Sequence, residues 1–206
     1  MAVIGANDRP DSIGGLAFSK LLAAGFRGDV YSVNLKYAEV LGHACALSLR
    51  TVEHSVDFAL VCTPMSRNER VLRDCAAKGI GHAILLSFNE PPTRERLAAP
   101  ADAKVLGPGS AGLLRPWLSL DASIFPSTAP KGGLAIVSQS ASLAGATTDW
   151  VLPNHVGLSA QVSLGAEAGI SLEEMVEYLA EDAPTQAILL CIEDVADGPR
   201  LLSAPR

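Results

Sequence analysis

Val-Ile-Gly-Ala-Asn-Asp-Arg-Pro-Asp-Ser-Ile-Gly-Gly, residues 3–15, is the stretch on which the reading of this chain turns. An aliphatic pair runs into Gly5, a polar loop follows, and Gly14-Gly15 falls in the first turn of the next element. Ile13, Leu16, Ala17, Leu21 and Ala24 then recur at helical spacing, and Gly25 stands where a helix would stop. A strand that ends in a glycine loop and re-enters a helix presents free amides and the positive end of the helix dipole to an anion, so it is a candidate phosphate site. Glycines there would let the backbone approach the phosphate closely. The loop is not the dinucleotide fingerprint, since G-x-G-x-x-G is shorter than the span from Gly5 to Gly14. It has room for a bulkier or differently placed pyrophosphate; the competing reading is a turn that glycine merely permits.

Outward from this loop, short aliphatic runs alternate with amphipathic stretches. Val30 to Asn34, Phe58 to Cys62, His82 to Ser87 and Lys104 to Leu106 read as strands, and Met65 to Lys78 as a helix. Pro91, Pro92 and Pro100 allow at most a weak helix over Pro91 to Ala103. Strands alternating with helices predict a right-handed, parallel, doubly wound α/β sheet of Rossmann-like form. An NAD site calls for an acidic residue at the end of its second strand, to bond the ribose 2′-OH. Here that end reads Val33-Asn34-Leu35-Lys36, without a carboxylate. Lys36 would attract a ribose phosphate, which leaves NADP or coenzyme A, or else a lysine that is simply exposed.

Residues 126–133, Pro-Ser-Thr-Ala-Pro-Lys-Gly-Gly, read as a linker between a first domain of residues 1–125 and a second, incomplete α/β unit of residues 134–206. In the second unit Leu134 to Ser138, Leu158 to Ser163 and Ala187 to Ile192 read as strands. Ser140 stands ahead of one helix, and Ser171 with Glu174 forms a capping box ahead of another. Three parallel strands leave a long unpaired edge, and both ends of the sequence read as cut.

Composition narrows the function classes. The 206 residues are 49% hydrophobic but only 18% charged and 5% aromatic, as sheets buried on both faces require. A net charge of −6 without a basic stripe argues against a nucleic-acid partner. No apolar run is long enough to span a bilayer, and no signal peptide opens the chain. Cys45, Cys62, Cys75 and Cys191 are scattered without a CxxC pair, which reads as reduced, mostly buried thiols of a cytoplasmic protein with no metal site. His43, His54, His82 and His155 lack partners at chemical spacing and read as surface or structural histidines.

Taken in order, G-A-N-D-R-P-D-S-I-G-G (5–15), G-F-R-G-D-V-Y-S-V-N-L-K (25–36), V-C-T-P (61–64), L-G-P-G-S-A-G-L (106–113), L-A-I-V-S-Q-S-A-S-L (134–143) and V-S-L-G-A-E-A (162–168) resemble the CoA-binding part of NDP-forming acyl-CoA synthetases, with succinyl-CoA synthetase α subunits as more distant relatives. The resemblance implies a Rossmann-like CoA-binding domain followed by a flavodoxin-like unit. It implies that Gly5, Ala6, Asn7, Arg9, Ser12, Ile13, Gly14 and Gly15 hold the CoA pyrophosphate, and that Asn34 and Lys36 lie near the ribose phosphate. Thr63, Pro64 and Ser87 would line the pantetheine path, and Pro108 joins the cofactor-binding set. Ser138, Gln139 and Ser140 resemble the turn that receives a phosphoryl group. Glu193 resembles the catalytic glutamate that positions a phosphorylated histidine.

Departures from the family pattern accompany the resemblance. Gly109, Ser110 and Ala141 stand where the family has Asn, Cys and Gly, while Ala166 and Gly169 replace an expected Asn and Asp. The segment between Ser87 and Lys104 is shorter than usual by about a helix. The family's phosphoryl-accepting histidine falls beyond the third strand of the second unit. Two readings follow. One is the CoA-binding portion of an acid–CoA ligase, in which ATP, ADP and Mg²⁺ are bound by an ATP-grasp subunit or domain. The other is a non-catalytic CoA- or acyl-CoA-sensing module of the kind fused to protein acetyltransferases. An NADP-dependent oxidoreductase ranks behind both, for want of any visible catalytic set. Assembly into a homo-oligomer is left open.

Overall fold

The computed structural model describes residues 1–86 and 103–203. Ser87, and the weak helix expected from Pro91, lie outside the described residues apart from Ala103. The first sheet begins with β1 (Ala2–Ile4), followed by α1 (Ile13–Ala23), β2 (Tyr31–Val33), β3 (Glu39–Val40), β4 (His43–Ala46) and β5 (Phe58–Val61). It is completed by α2 (Asn68–Ala77), β6 (His82–Leu86) and β7 (Lys104–Ser110), in the order β3-β4-β2-β1-β5-β6-β7. All neighbours are parallel except β3 and β4. The central strands β1 and β5 are apolar along their length because helices cover both faces. On one face Phe18 and Leu21 of α1 pack with Val3, Leu60 and Ile84. On the other, Leu72 and Cys75 of α2 pack with Ile4, Val61 and Leu85.

The helix expected over Met65 to Lys78 is split, a 3-10 turn at Met65–Arg67 leading into α2. The short β3–β4 hairpin was not expected. It turns at Leu41 and Gly42, both with positive φ.

The second sheet contains β8 (Gly112–Arg115), β9 (Leu120–Ser123), β10 (Lys131–Ser138), β11 (Leu158–Ser163) and β12 (Ala187–Cys191). Its order is β12-β10-β11-β8-β9, with α3 (Ala141–Val151) after β10, α4 (Leu172–Ala180) after β11 and α5 (Gly198–Ser203) last. The helix starts follow the sequence closely. Ser140 accepts from the Leu143 amide, and Ser171 and Glu174 form the expected capping box. Two features differ from the expectation of three parallel strands behind a linker. The β8–β9 hairpin, within residues grouped with the first unit, pairs antiparallel with β11 through Leu114 and Gln161. In addition, Lys131 and the two glycines after it already belong to β10. The sheets therefore exchange at Ala111, between β7 and β8.

Several ties cross between the sheets. Lys20 of α1 lies 3.3 Å from the buried Asp121 carboxylate of β9. Burial pushes the Asp121 carboxyl up, and Lys20 and Ser123 draw it back down. The loop after β11 lies along β7, with the Ala166, Ala168 and Ile170 amides donating to the carbonyls of Pro108, Gly107 and Val105. Lys104 of β7 reaches Glu174 of α4 at 2.7 Å.

The Lys104–Glu174 pair is half exposed and so worth about 0.5 kcal/mol. The Lys104 contact leads the causes that hold the Glu174 carboxyl below its ordinary value. A depressed folded-state carboxyl stabilises above the unfolded value and loses that contribution as pH falls through the folded one. Lys104→Met is therefore expected to lower stability by about 0.5 kcal/mol at pH 7 and by less at an acid pH below the folded-state value of Glu174. Urea titrations at the two pH values check it.

Candidate ligand site at the carboxyl edges of the strands

Open α/β sheets bind ligands outside the carboxyl ends of their strands, and the sequence-selected residues gather there. Gly5 ends β1 with φ +94°, and a Cβ on it would stand 3.1 Å from the Cys62 carbonyl group, so the turn needs glycine. The loop after it is organised from within. Buried Asn7 donates to the Gly5 carbonyl at 3.1 Å and accepts from the Arg9 amide at 3.0 Å and the Ser12 hydroxyl at 2.6 Å. Ser12 caps α1, taking the Gly15 amide at 3.0 Å. The first-turn amides of Ile13 and Gly14 have no protein acceptor among the described residues.

Gly14 has a different cause from the one expected. A Cβ there would lie 2.1 Å from the Gly5 carbonyl oxygen, and one on Gly15 would lie 2.0 Å from that of Arg9. Both glycines are needed because α1 crosses its own loop backbone, whether or not a phosphate is bound.

The rim beside this loop comes from β2 and β5. Asn34 donates to the Ala6 carbonyl at 2.7 Å and accepts the Lys36 amide at 3.0 Å, so its side chain fastens the end of β2 to the loop. Asp8, which the sequence did not single out, accepts the Leu41 amide at 2.6 Å and latches the β3–β4 hairpin over the loop. Arg9 and Lys36 are exposed, and neither has an ion-pair partner among the described residues. Thr63 and Pro64 follow β5 on the far side of β1, and buried Pro108 lies in β7. Burial pushes the Cys62 thiol up to about 12, which leaves it protonated at neutral pH.

The second group of residues stands at the carboxyl edge of the other sheet. Ser138 closes a turn on itself, donating to the Ser140 carbonyl at 2.7 Å and accepting the Ser140 amide at 3.1 Å. The Gln139 side chain is fully engaged. It donates to Glu167 at 2.5 Å and to the Asp194 carbonyl at 2.7 Å, and accepts the amides of Glu193 at 2.5 Å and Asp194 at 2.9 Å. Glu167, with φ +53°, also accepts the Leu172 amide at 2.9 Å. The exposed Glu193 is thus held through its backbone beside the start of α3. Glu167 was missed in the sequence, where nothing marks a carboxylate as the partner of a distant amide.

The histidines lie elsewhere, all four of them exposed. His43 meets Phe18 edge-on at 5.9 Å, and His54 stacks on Tyr31 at 5.5 Å. His82 opens β6, and His155 sits with φ 55° between α3 and β11. Among the described residues no group of three His, Cys, Asp or Glu side chains could hold a metal ion. A cavity of about 220 Å³ bounded by Leu114, Pro116, Ala129 and Lys131 lies at the opposite end of β10, away from both groups.

Two family models match successive parts of the chain. The family model described as "CoA binding domain" matches residues 1–116, and that described as "Succinyl-CoA ligase like flavodoxin domain" matches residues 131–206. The ADP-forming acetate–CoA ligase I of Archaeoglobus fulgidus is 31% identical over 212 residues, covering 98% of this chain and 31% of the ligase. The α subunit of ADP-forming acetate–CoA ligase I of Pyrococcus furiosus is 30% identical over 220 residues, covering 100% of this chain and 48% of that subunit. Among solved structures, the dinucleotide-forming acetyl-coenzyme A synthetase 1 of Ca. Korarchaeum cryptofilum, in complex with phosphate and ADP, superposes with a TM-score of 0.90 at 28% identity. The match covers 98% of this chain and 46% of that one. The chain thus spans between about a third and a half of the length of these relatives.

Proposed function

This chain belongs to the CoA-binding domain family, and from that premise we infer that it is the CoA-binding portion of an NDP-forming acyl-CoA synthetase. The observation that carries the reading is the Gly5 to Gly15 loop, with unpaired first-turn amides and two exposed cations, Arg9 and Lys36, at its rim. The amides take the pyrophosphate, and Lys36 takes the ribose 3′-phosphate. Asn7, Ser12 and Asn34 fix the loop from within, and Thr63, Pro64 and Pro108 border the path of the pantetheine arm.

The reaction served by this portion joins a carboxylic acid to CoA at the expense of ATP. ATP and Mg²⁺ are held by an ATP-grasp partner, subunit or domain. On this chain the Ser138 to Ser140 turn offers the α3 N-terminus to a phosphoryl group, with Glu193 beside it. The sensing-module reading is not favoured, since the relatives named above are CoA ligases or their subunits. No helix among the described residues is long and apolar enough to cross a membrane, and a cytoplasmic location goes with the reading.

Calorimetry with CoA, acetyl-CoA, NAD and NADP tests it. CoA is expected to bind and NAD is not; tighter binding of NADP than of CoA would overturn the assignment. Lys36→Glu is expected to weaken CoA about tenfold while leaving 3′-dephospho-CoA nearly unchanged. Equal losses for the two ligands would remove Lys36 from the 3′-phosphate.

A further inference from the structure

The stripe of α2 that faces the sheet consists of Asn68, Leu72 and Cys75, all buried. Leu72 and Cys75 pack with Val61 and Leu85, as an apolar stripe should. Asn68 is the first residue of a helix that runs back from the carboxyl edge, so it stands at the edge where Gly5 and Thr63 end their strands. It is only 1% exposed, and neither Oδ1 nor Nδ2 has a hydrogen-bond partner among the described residues. The Thr63 hydroxyl is likewise buried and unpaired, while its methyl group would stand 3.2 Å from a Cβ on Gly5. The other unpaired buried atoms differ in kind. Arg115 and Gln161 each leave one atom unpaired but bond through others. Asn68 bonds through none. A buried polar side chain without a partner lowers stability, and a leucine would continue the stripe at no such cost.

We propose that Asn68, together with Thr63 at the same strand edge, receives an amide of the pantetheine arm of coenzyme A. The inference rests on the CoA reading above. A secondary amide offers one N–H and one C=O, which match Oδ1 and Nδ2 together; a phosphate only accepts, and an acyl chain does neither. An adenine edge would match as well, but the strand order separates the two ends of the ligand. Lys36 follows β2 and Asn68 precedes β6, and β2 and β5 flank β1 on opposite sides. With the ribose phosphate at Lys36 and the pyrophosphate over Gly5, the arm extends across β1 towards β5 and α2. Asn68 is then a specificity-determining residue: it recognises the arm, and the loop recognises the nucleotide.

The experiment compares wild type, Asn68→Val and Thr63→Val as titrated with CoA, phosphopantetheine and adenosine 3′,5′-bisphosphate, with a thermal melt of each. Both variants are expected to melt at or above the wild-type temperature, because each removes an unpaired buried group. Asn68→Val is expected to weaken CoA and phosphopantetheine by about tenfold, the change that corresponds to one or two neutral hydrogen bonds. The isosteric Thr63→Val is expected to weaken them by about threefold to tenfold. Both should bind adenosine 3′,5′-bisphosphate as wild type does. Unchanged CoA affinity in both variants overturns the proposal, as does an equal loss of CoA and the bisphosphate. If wild type binds neither CoA nor the bisphosphate, the CoA reading fails and the proposal with it.

Discussion

Replacing Gly14 by valine is expected to unfold the N-terminal half of the chain, where a glycine kept only for a bound phosphate would give a folded protein with an empty site. The Cβ of any other residue would stand 2.1 Å from the Gly5 carbonyl oxygen and 2.9 Å from Asn7 Nδ2. Gly5 O is backbone at the end of β1 and accepts from Asn7, so it cannot swing aside as a side chain could. Relief requires α1 to move away from β1, which opens the packing of Phe18 and Leu21 on Val3, Leu60 and Ile84. A loss of about 4 kcal/mol or more follows, at the upper end for single substitutions. The control is Gly145→Ala inside α3, where the new Cβ meets only Pro126 Cδ at 3.7 Å. That change is expected to be neutral or to stabilise by about 0.5–1 kcal/mol, since alanine restricts the unfolded chain. Urea midpoints by circular dichroism decide the matter. A Gly14→Val protein that melts like wild type and has lost only CoA binding would return the glycine to the ligand.

The two glycines also mark what a sequence discloses and what it does not. The strand-loop-helix outline of residues 3–15 was legible because β1 is buried on both faces and α1 keeps helical spacing. The same holds for β5, whose apolar run corresponds to Phe58–Val61, whereas β11 (Leu158–Ser163) alternates apolar and polar residues and β12 (Ala187–Cys191) is an apolar run at the edge of its sheet. The hairpins were not legible. The β3–β4 turn is made by Leu41 and Gly42 rather than an Asn-Gly pair, and its strands have too few residues for an alternation to register. The β8–β9 hairpin belongs to the second sheet because Leu114 lies opposite Gln161, a pairing between residues far apart that no local pattern encodes.

Side-chain roles divide in a similar way. The sequence located Asn7, Asn34 and Gln139 at strand ends, where ligands bind. It could not tell that their amides bond to Gly5, Ala6, Glu167 and Asp194 of the protein itself. Arg9 and Lys36 carry the opposite lesson, since the sequence could not tell that both stand exposed with no ion-pair partner among the described residues. Asn68 passed unremarked because one amide ahead of Leu72 and Cys75 looks like an ordinary helix start. Only its burial without a partner sets it apart.

Gln139→Leu is the complementary test in the second sheet, and it is expected to loosen the chain after β12. The wild-type side chain bonds four ways, to Glu167, to the Asp194 carbonyl and to the amides of Glu193 and Asp194. Leucine fills similar space and makes none of these bonds. Because the cluster is partly open to water, which can replace some of them, the expected loss is about 2–4 kcal/mol. It should be concentrated at residues 192–203, where faster amide exchange and proteolysis would report it. The backbone that carries Glu193 would then no longer be held against the start of α3, and on the function proposed above a phosphoryl group on that turn would lose its neighbouring carboxylate. Gln139→Glu sharpens the test through its pH dependence. It sets a second carboxylate against Glu167, so one of the two must take up a proton more readily in the folded state than in the unfolded one. A raised folded-state carboxyl makes stability rise as pH falls towards the folded value, so the variant should be weakest near pH 7 and recover part of its loss by about pH 5. Gln139→Leu should show no such recovery. If both variants unfold at the wild-type urea midpoint at every pH, and residues 192–203 exchange as before, the amide is not a clamp and Glu193 is held by other means.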